Sequence, residues 1–382
     1  IAPELGDAAA MVDHIEERSG VHELKILGRE WREMVKIAVL GYGTVGSGVV
    51  ELLDKNRDTI KKNVGEEINV KYILDIRDFE NDKYQEKIIK DFNTIINDRE
   101  ISIVAEVIGG ATVAYEYTKR LLQSGVNVVT SNKELVATKG AELLKIARNK
   151  NVKYLFEASV GGGIPIIHPL LQCLEANNIN EIIGIMNGTT NYILTKMKND
   201  NISFDVALKQ AQELGYAERN PDADIKGFDT CRKICILSSL AYEEEIDPDN
   251  ISVKGIEDLT LEDVKKAEEQ GYVVKLVGFS RRNNEGSIEI FVAPCAIGKN
   301  NPLANVNDVY NAILVNGDMV GNVMFYGKGA GKFPTASAVC SDIIECVNLK
   351  SDRNINLRED RVYIGKPELP MLKGTNFPIV GE

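Results

Sequence analysis

The residues best suited to chemistry crowd into one stretch, Gly215-Tyr216-Ala-Glu218-Arg-Asn220-Pro221-Asp222-Ala-Asp224-Ile-Lys-Gly227-Phe-Asp229-Thr-Cys-Arg-Lys233. Four carboxylates, Glu218, Asp222, Asp224 and Asp229, precede Lys233. Asp229 and Lys233 are four residues apart, so on a helix they share a face. Lys233 runs directly into Ile-Cys-Ile-Leu, which pulls that helix into a core. Charged groups beside buried apolar residues are usually paired or functional. Carboxylates so placed suit the ammonium group of an amino acid, with the lysine to handle a proton. The plainer alternative is a solvated, salt-bridged helix start. Histidine offers little, because the chain has only His14, His22 and His168. Proton transfer therefore falls to lysine, carboxylate or tyrosine.

A second constellation, Gly41-Tyr-Gly43-Thr44-Val45-Gly46-Ser-Gly48, follows an apolar run and opens a helical segment. Glycines at this spacing permit a tight turn, a close approach of pyrophosphate to the backbone, and close helix–strand packing. The free N–H groups and positive dipole end of the helix suit phosphates. The second apolar run ends at Asp75-Ile-Arg77-Asp78, further from the fingerprint than the usual spacing because of an insertion near 56–67. An acid at this edge would bond the ribose diol of NAD, whereas Arg77 would receive the 2′-phosphate of NADP. Both residues are present, so the choice stays open. Ser131-Asn132-Lys133 lies just past the run 126–130, at the edge where open α/β sheets bind ligands, which places Lys133 within reach of substrate or nicotinamide.

The elements that must position these residues alternate. Strand-length apolar runs at 35–40, 68–76, 101–108, 126–130 and 152–156 are separated by helical periods at 45–55, 113–123 and 134–149. Continuous Val/Ile/Leu strands joined by amphipathic helices imply a Rossmann-type, doubly wound parallel sheet covered on both faces. The alternation breaks at Ser159-Val-Gly-Gly-Gly163, which reads as a joint between domains. Helices at 166–175, 190–198, 204–214 and 230–242 then mix with strands at 179–186, 272–280, 287–296 and 320–326, as in an α+β domain. The expected organisation is an N-terminal extension over 1–33 and a dinucleotide-binding domain over 34–160. A substrate, catalytic and dimerisation domain then spans 161–326. A glycine loop and helix over 327–348 return to the first domain, and a short polar tail covers 349–382. Residues 1–33, with eight acids against four bases and no periodic pattern, read as dispensable to the fold, which would start at Met34.

Composition narrows the classes. The chain has 382 residues, 44% hydrophobic and 27% charged, enough for two or three globular domains. Its net charge of −12 sets up no field that attracts nucleic acid. No stretch approaches the roughly 20 apolar residues of a membrane span, so a cytoplasmic protein is expected. The six cysteines, Cys173, Cys231, Cys235, Cys295, Cys340 and Cys346, form no CxxC pair and read as small buried residues rather than a disulfide or zinc framework.

Together these motifs resemble homoserine dehydrogenases. The resemblance rests on Gly215–Lys233, on Gly41–Gly48, on Glu157-Ala-Ser-Val-Gly-Gly-Gly-Ile-Pro165 and on Gly184-Ile-Met-Asn-Gly-Thr-Thr-Asn-Tyr192, and runs from about Met34 to Glu345. It implies NAD(P)-dependent interconversion of L-homoserine and L-aspartate 4-semialdehyde, on the route to threonine, methionine and isoleucine. It implies Lys233 as the proton-transfer lysine and Lys133 as a second essential lysine. Glu218, Asp229, Asp224 and Tyr216 would bind substrate. Gly41, Gly43, Thr44, Val45, Gly46, Arg77, Thr112, Ser131, Gly215 and Gly331 would line the nucleotide. It further implies a sodium or potassium ion held at Glu157, Val160, Gly162 and Ile164, and a homodimer or homotetramer. Many family members continue into a regulatory ACT domain of about 70 residues, whereas only 349–382 follow the last helix here, a departure that leaves regulation by threonine through such a domain open. Two other classes would share part of the pattern. A semialdehyde dehydrogenase would need a reactive thiol, for which Cys173 is the nearest candidate. A non-catalytic nucleotide sensor would explain Gly41–Gly48 but not the carboxylate–lysine cluster.

Overall fold

Apolar strands that are buried on both faces need helices above and below them. The computed structural model describes residues 34–283, 285–348, 364–365 and 369–380, so the expectation about 1–33 lies outside the described residues. The first sheet holds β1 (Met34–Leu40), β2 (Glu67–Leu74), β3 (Ile88–Ile89), β4 (Ile101–Glu106), β5 (Asn127–Thr130) and β6 (Tyr154–Leu155). Their spatial order is β3-β2-β1-β4-β5-β6, and every pairing is parallel. The order reverses between β1 and β4, and the crevice at such a switch point is where these sheets bind nucleotides.

Helices α1 (Thr44–Lys55), α2 (Arg57–Val64), α3 (Phe92–Ile96), α4 (Thr112–Gln123) and α5 (Lys133–Lys150) accompany this sheet. The alternation of side chains along β1 sorts them into two cores. Ile37 and Val39 pack with Val49, Val50 and Leu53 of α1, whereas Ala38 and Leu40 share a core with Leu121, Leu135 and Leu143. The insertion after the glycine fingerprint folds as α2, which the sequence pattern does not announce.

The second sheet is mixed, in the order β12-β11-β7-β9-β10-β13 with β8 beside β10. Its strands are β7 (Ile179–Ile185), β8 (Ser252–Val253), β9 (Tyr272–Arg282), β10 (Ile288–Gly298), β11 (Tyr310–Gly317), β12 (Gly321–Lys328) and β13 (Ile364–Gly365). Between them run α6 (Gly188–Asp200), α7 (Phe204–Glu213), α8 (Asp222–Ile225), α9 (Phe228–Tyr242) and α10 (Leu261–Glu269). Val274 and Leu276 of β9 join the core that contains Ile234 and Leu237 of α9. Val273, Val277 and Phe279 face the other way and are covered by Leu303, Ala304, Val306 and Val380. Both faces of β9 are thus covered within the chain.

Three expectations change. The helix over 166–175 is one π-type turn, Pro169–Cys173, closed by the Leu174 N–H donating to the Pro169 carbonyl at 3.0 Å. The described end of the polar tail packs: Leu372, Phe377 and Val380 are buried against the second sheet, and Ile379 bridges Ala296 of β10. Strand β11 and helix α10 fall in stretches that the sequence pattern leaves unassigned. The last helix, α11 (Lys332–Val347), packs its Ala336, Val339 and Ile343 into the core of α1 and β1. Among the described residues no helix is long and apolar enough to cross a membrane.

The turn from β1 into α1 leaves no room for side chains. Gly41 has φ +96°, and a Cβ on Gly46 would stand 1.9 Å from the Gly41 carbonyl oxygen. Gly46→Ala must therefore shift backbone, and it is expected to lower stability by about 1–3 kcal/mol and to weaken nucleotide binding. Thermal denaturation with and without nucleotide reads both effects.

Candidate active site

Helix α9 is buried along most of its length, including Asp229 and Lys233, so charges on it must be paired. The side chain of Asp229 lies at the centre of the pairing. Its Oδ2 accepts an N–H from Lys233 Nζ at 2.7 Å and one from Asn187 Nδ2 at 2.9 Å. Its Oδ1 forms an ion pair with the Lys133 ammonium. Lys233 gives a second N–H to the Met186 carbonyl at 2.7 Å. Asn187 spends its other amide hydrogen on Asp224 Oδ1 at 2.7 Å. One network thus joins Lys133, Lys233, Asp229 and Asp224.

Each member is placed by a chain reversal. Asn187 follows β7 and caps α6, its Oδ1 accepting the Thr190 N–H at 2.9 Å. Asn132 follows β5 and caps α5 by accepting the Leu135 N–H at 3.1 Å, so Lys133 is the first helical residue. Lys133 therefore comes from the nucleotide-binding sheet and Lys233 from the second domain, and Asp229 bridges them.

The charges shift one another. For Asp229, burial pushes the carboxyl up, but the Lys233 and Lys133 ammoniums outweigh it and hold it well below the usual carboxylate range. Burial pushes Lys233 down, the Lys133 charge adds to this, and Asp229 only partly offsets them. In Lys133, burial also lowers the pKa, but attraction and a hydrogen bond to Asp229 win and raise it. Burial and the neighbouring Asp229 raise Asp224. The plain alternative of a solvated salt bridge fails, because only 9% of the Lys233 side chain and 3% of that of Asp229 are exposed.

Other expected residues lie apart from this network. Gly215, Tyr216 and Glu218 are exposed on the loop between α7 and α8. The Tyr216 ring packs on Tyr192, with centroids 5.1 Å apart. Among the described residues no hydrogen bond or ion pair joins the Glu218 carboxylate to the lysines. Cys173 is exposed at the end of its π-type turn, and the other five cysteines are buried. Sequence reasoning missed Asn187 and the Met186 carbonyl as members of the network. Their signal was an Asn-Gly-Thr-Thr cap straight after a strand.

Beside the glycine turn, past the carboxyl ends of β1 and β2, an open cleft of about 860 Å³ is lined by Gly43, Thr44, Glu51, Arg77, Phe79 and Lys332, among others. Val45 is the second residue of α1, Thr112 is the first residue of α4, Ser131 follows β5, and Gly331 precedes α11. Asp75 is committed. It accepts N–H groups from Tyr42 at 2.7 Å, from the Arg77 backbone at 2.9 Å, and from Arg77 Nε and Nη2 at 3.0 and 2.8 Å. Those four bonds fill the lone-pair sites of a carboxylate. They hold the Arg77 guanidinium over the Phe79 ring, 5.0 Å from its centroid. The Arg77 hydrogen bond keeps the Asp75 carboxyl well below its ordinary range.

The segment expected to hold a monovalent cation closes the first domain. The Glu157 carboxylate accepts the N–H groups of Ile166 and Ile167 at 2.6 and 2.9 Å and of His168 at 2.6 Å. Its side chain is thereby spent on backbone, which leaves carbonyls as the donors for an ion. No described backbone N–H donates to the carbonyls of Val160, Gly162 or Ile164, and that of Glu157 receives only a long bond of 3.4 Å from Val160. Gly162 has φ +55°, and a Cβ there would stand 2.4 Å from the Gly329 oxygen, so the late glycine loop closes over this turn. An oxygen-rich, close-walled turn fits a hard monovalent cation. Beside it, His168 Nε2 lies 3.0 Å from Asp342 Oδ1 and 2.9 Å from Glu345 Oε2, tying α11 to the joint.

The family profile described as homoserine dehydrogenase matches residues 165–344, and that described as its NAD binding domain matches residues 41–157. A homoserine dehydrogenase of Helicobacter pylori is 43% identical over 338 residues, covering 88% of this chain and 79% of its own. One from Bacillus subtilis is 40% identical over 81% of this chain and 72% of its own. Among solved structures, a homoserine dehydrogenase from Thiobacillus denitrificans superposes with a TM-score of 0.82 at 38% identity, over 87% of this chain and 80% of that one. A hyperthermophilic archaeal homoserine dehydrogenase in complex with NADPH superposes with a TM-score of 0.70 at 30% identity, over 85% of this chain and 100% of that one.

Asp229→Asn keeps the shape but leaves two lysines facing each other with only the Asp224 charge nearby. Breaking a buried pair from one side typically costs about 3–5 kcal/mol, so a fall in unfolding free energy of that order is expected. Chemical denaturation measures it. A surface bridge would cost at most about 1 kcal/mol.

Proposed function

The chain belongs to the homoserine dehydrogenase family, and from that premise we propose that it interconverts L-homoserine and L-aspartate 4-semialdehyde with NADP in preference to NAD. The observation that carries this reading is the Lys133–Asp229–Lys233 bridge at the meeting of the two domains. A bound nicotinamide supplies the hydride acceptor in the oxidising direction. Lys233 takes the hydroxyl proton of homoserine, and in the reducing direction its ammonium returns a proton to the same oxygen. A lysine has an ordinary pKa of about 10.4 and must be lowered to act as a base near neutrality. Burial and the Lys133 charge act in that direction on Lys233. An ammonium has three donors. Lys233 gives two, to Met186 and Asp229, which leaves one for the substrate oxygen.

Lys133, with 40% of its side chain exposed, orients the substrate as a second cation. Asp224 receives the α-ammonium group, with Glu218 and Tyr216 on the exposed loop as further contacts. The committed Asp75 supports the choice of cofactor: it has no lone pair left for a ribose diol, and it holds Arg77 where a 2′-phosphate would sit. The NADPH complex of the archaeal relative accords with this. The carbonyls of Glu157, Val160, Gly162 and Ile164 would hold sodium or potassium and stiffen the joint. Edge strand β12 and the turn before it expose Met319, Met324 and Tyr326, and exposed apolar edges favour pairing. The subunits therefore assemble, as a homodimer or homotetramer. Cytoplasmic biosynthesis of threonine, methionine and isoleucine is the setting this chemistry serves.

Assays of homoserine-dependent NADP and NAD reduction test the reading. Lys233→Ala is expected to lower kcat by about 10² to 10⁴, the usual contribution of a positioned acid or base, with the nucleotide Kd nearly unchanged. Near-normal kcat would remove Lys233 from the chemistry. Arg77→Ala is expected to raise the Kd for NADP about tenfold or more, the usual worth of a hydrogen bond to a charged group, while the Kd for NAD moves little. Equal losses for the two nucleotides would contradict the role given to Arg77.

A further inference from the structure

Glu106 ends β4 at the carboxyl edge of the first sheet, in register with Leu40 of β1 and Thr130 of β5. It is fully buried, and the chemistry above gives it no part. Its Oε1 accepts the Ile108 N–H at 2.7 Å, and its Oε2 accepts the Thr130 hydroxyl at 2.6 Å. Thr130 Oγ1 accepts the Asn132 N–H at 2.9 Å. The Asn132 amide donates back to the carbonyls of Ile108 and Gly110, at 3.2 and 2.7 Å. Glu106, Ile108, Asn132 and Thr130 thus close a ring of hydrogen bonds. Two parts of the site start from it. Lys133 follows Asn132 directly, and the Val107 carbonyl oxygen stands 3.0 Å from where a Cβ on Gly41 would be, so this loop walls the glycine turn.

We propose that Glu106, as a carboxylate acting through Thr130 and Asn132, is the positioning residue that fixes where Lys133 enters the site. This rests on the reading of Lys133 as the lysine that orients substrate. An ionised carboxylate only accepts hydrogen bonds, which matches the two donors aimed at it. A protonated carboxyl would donate to the Thr130 oxygen instead, and the Thr130 hydroxyl hydrogen would have to turn away. Burial pushes Glu106 up to about 7, against the pull of the bonds from Thr130 and Ile108. The ionisable group that feels its charge is the Tyr154 hydroxyl on β6, buried and without a hydrogen-bond partner among the described residues. Neither Leu40 nor Thr130, its neighbours in register, ionises. The ring is therefore intact above about pH 7 and loosens as pH falls through that value.

Glu106→Gln keeps the size of the side chain but offers Thr130 an amide donor if its oxygen stays on Ile108. Thr130→Val breaks the ring without touching the charge. Each is compared with wild type and combined with Lys133→Ala, reading kcat from pH 6 to 9. Displaced catalytic groups lose roughly 10- to 100-fold, so both single variants should lose kcat on that scale, and Glu106→Gln should flatten the fall below about pH 7. Combined with Lys133→Ala, neither should add a further loss, because coupled residues share one effect. Wild-type kcat in Glu106→Gln, or losses that multiply in the double variants, would overturn the proposal while leaving Lys133 in place. A Lys133→Ala enzyme with unchanged kcat would instead remove the premise. If Glu106→Gln fails to fold, Thr130→Val carries the same comparisons.

Discussion

A single buried carboxylate, Asp229, has to neutralise two lysines that arrive from different domains. Taking such charges out of water costs several kcal/mol per ion unless geometry and further hydrogen bonds compensate. Here the compensation comes from Asn187, from the Met186 carbonyl and from the lysines themselves. Consequently α9 must be buried with its charged face toward the end of β7, and α5 must begin at the carboxyl edge of β5. The caps Asn132 and Asn187 are the local devices that meet both conditions. The same arrangement separates the lysines chemically, lowering one and raising the other, as the proposed roles of base and fixed cation require.

The nucleotide side follows from topology. A parallel sheet in the order β3-β2-β1-β4-β5-β6 opens a crevice between β1 and β4, and the glycine turn lies at its rim. Asp75, the acid that could have bonded a ribose, is turned into a support for Arg77. Helix α11 then returns across α1, and the glycine loop before it closes over the turn at Gly162. The glycine loop and α11 thereby hold together the nucleotide cleft and the joint that leads to the second domain.

Much of this was legible in the sequence. The alternation of Val/Ile/Leu runs with helical periods is dictated by burial on both faces, so the Rossmann-type sheet could be read directly. Asp229 and Lys233 announced themselves by helical spacing beside an apolar run. Strand β11 and helix α10 were not legible, because the apolar run of β11 is only Ala312–Val315 between two asparagines, and the short amphipathic period of α10 does not stand out from its flanks. The commitment of Asp75 was also hidden, since it depends on a fold-back of Arg77 two residues on. The segment 369–380 looked too polar to pack, yet three apolar side chains suffice to seat it against β10. Glu218, singled out with the other carboxylates, lies exposed on a loop, and nothing in the spacing distinguished it from Asp224.

Burial of Lys233 and the nearby Lys133 charge, against an upward pull of Asp229 on both lysines, split the titrations of Lys133 and Lys233. Nuclear magnetic resonance of the lysine ε-carbons against pH, with the two signals assigned from single lysine-to-arginine variants, tests this split most directly. Lys233 is expected to titrate below the ordinary lysine value of about 10.4 and Lys133 above it. Two lysines titrating together at the ordinary value, or Lys233 above Lys133, would contradict it.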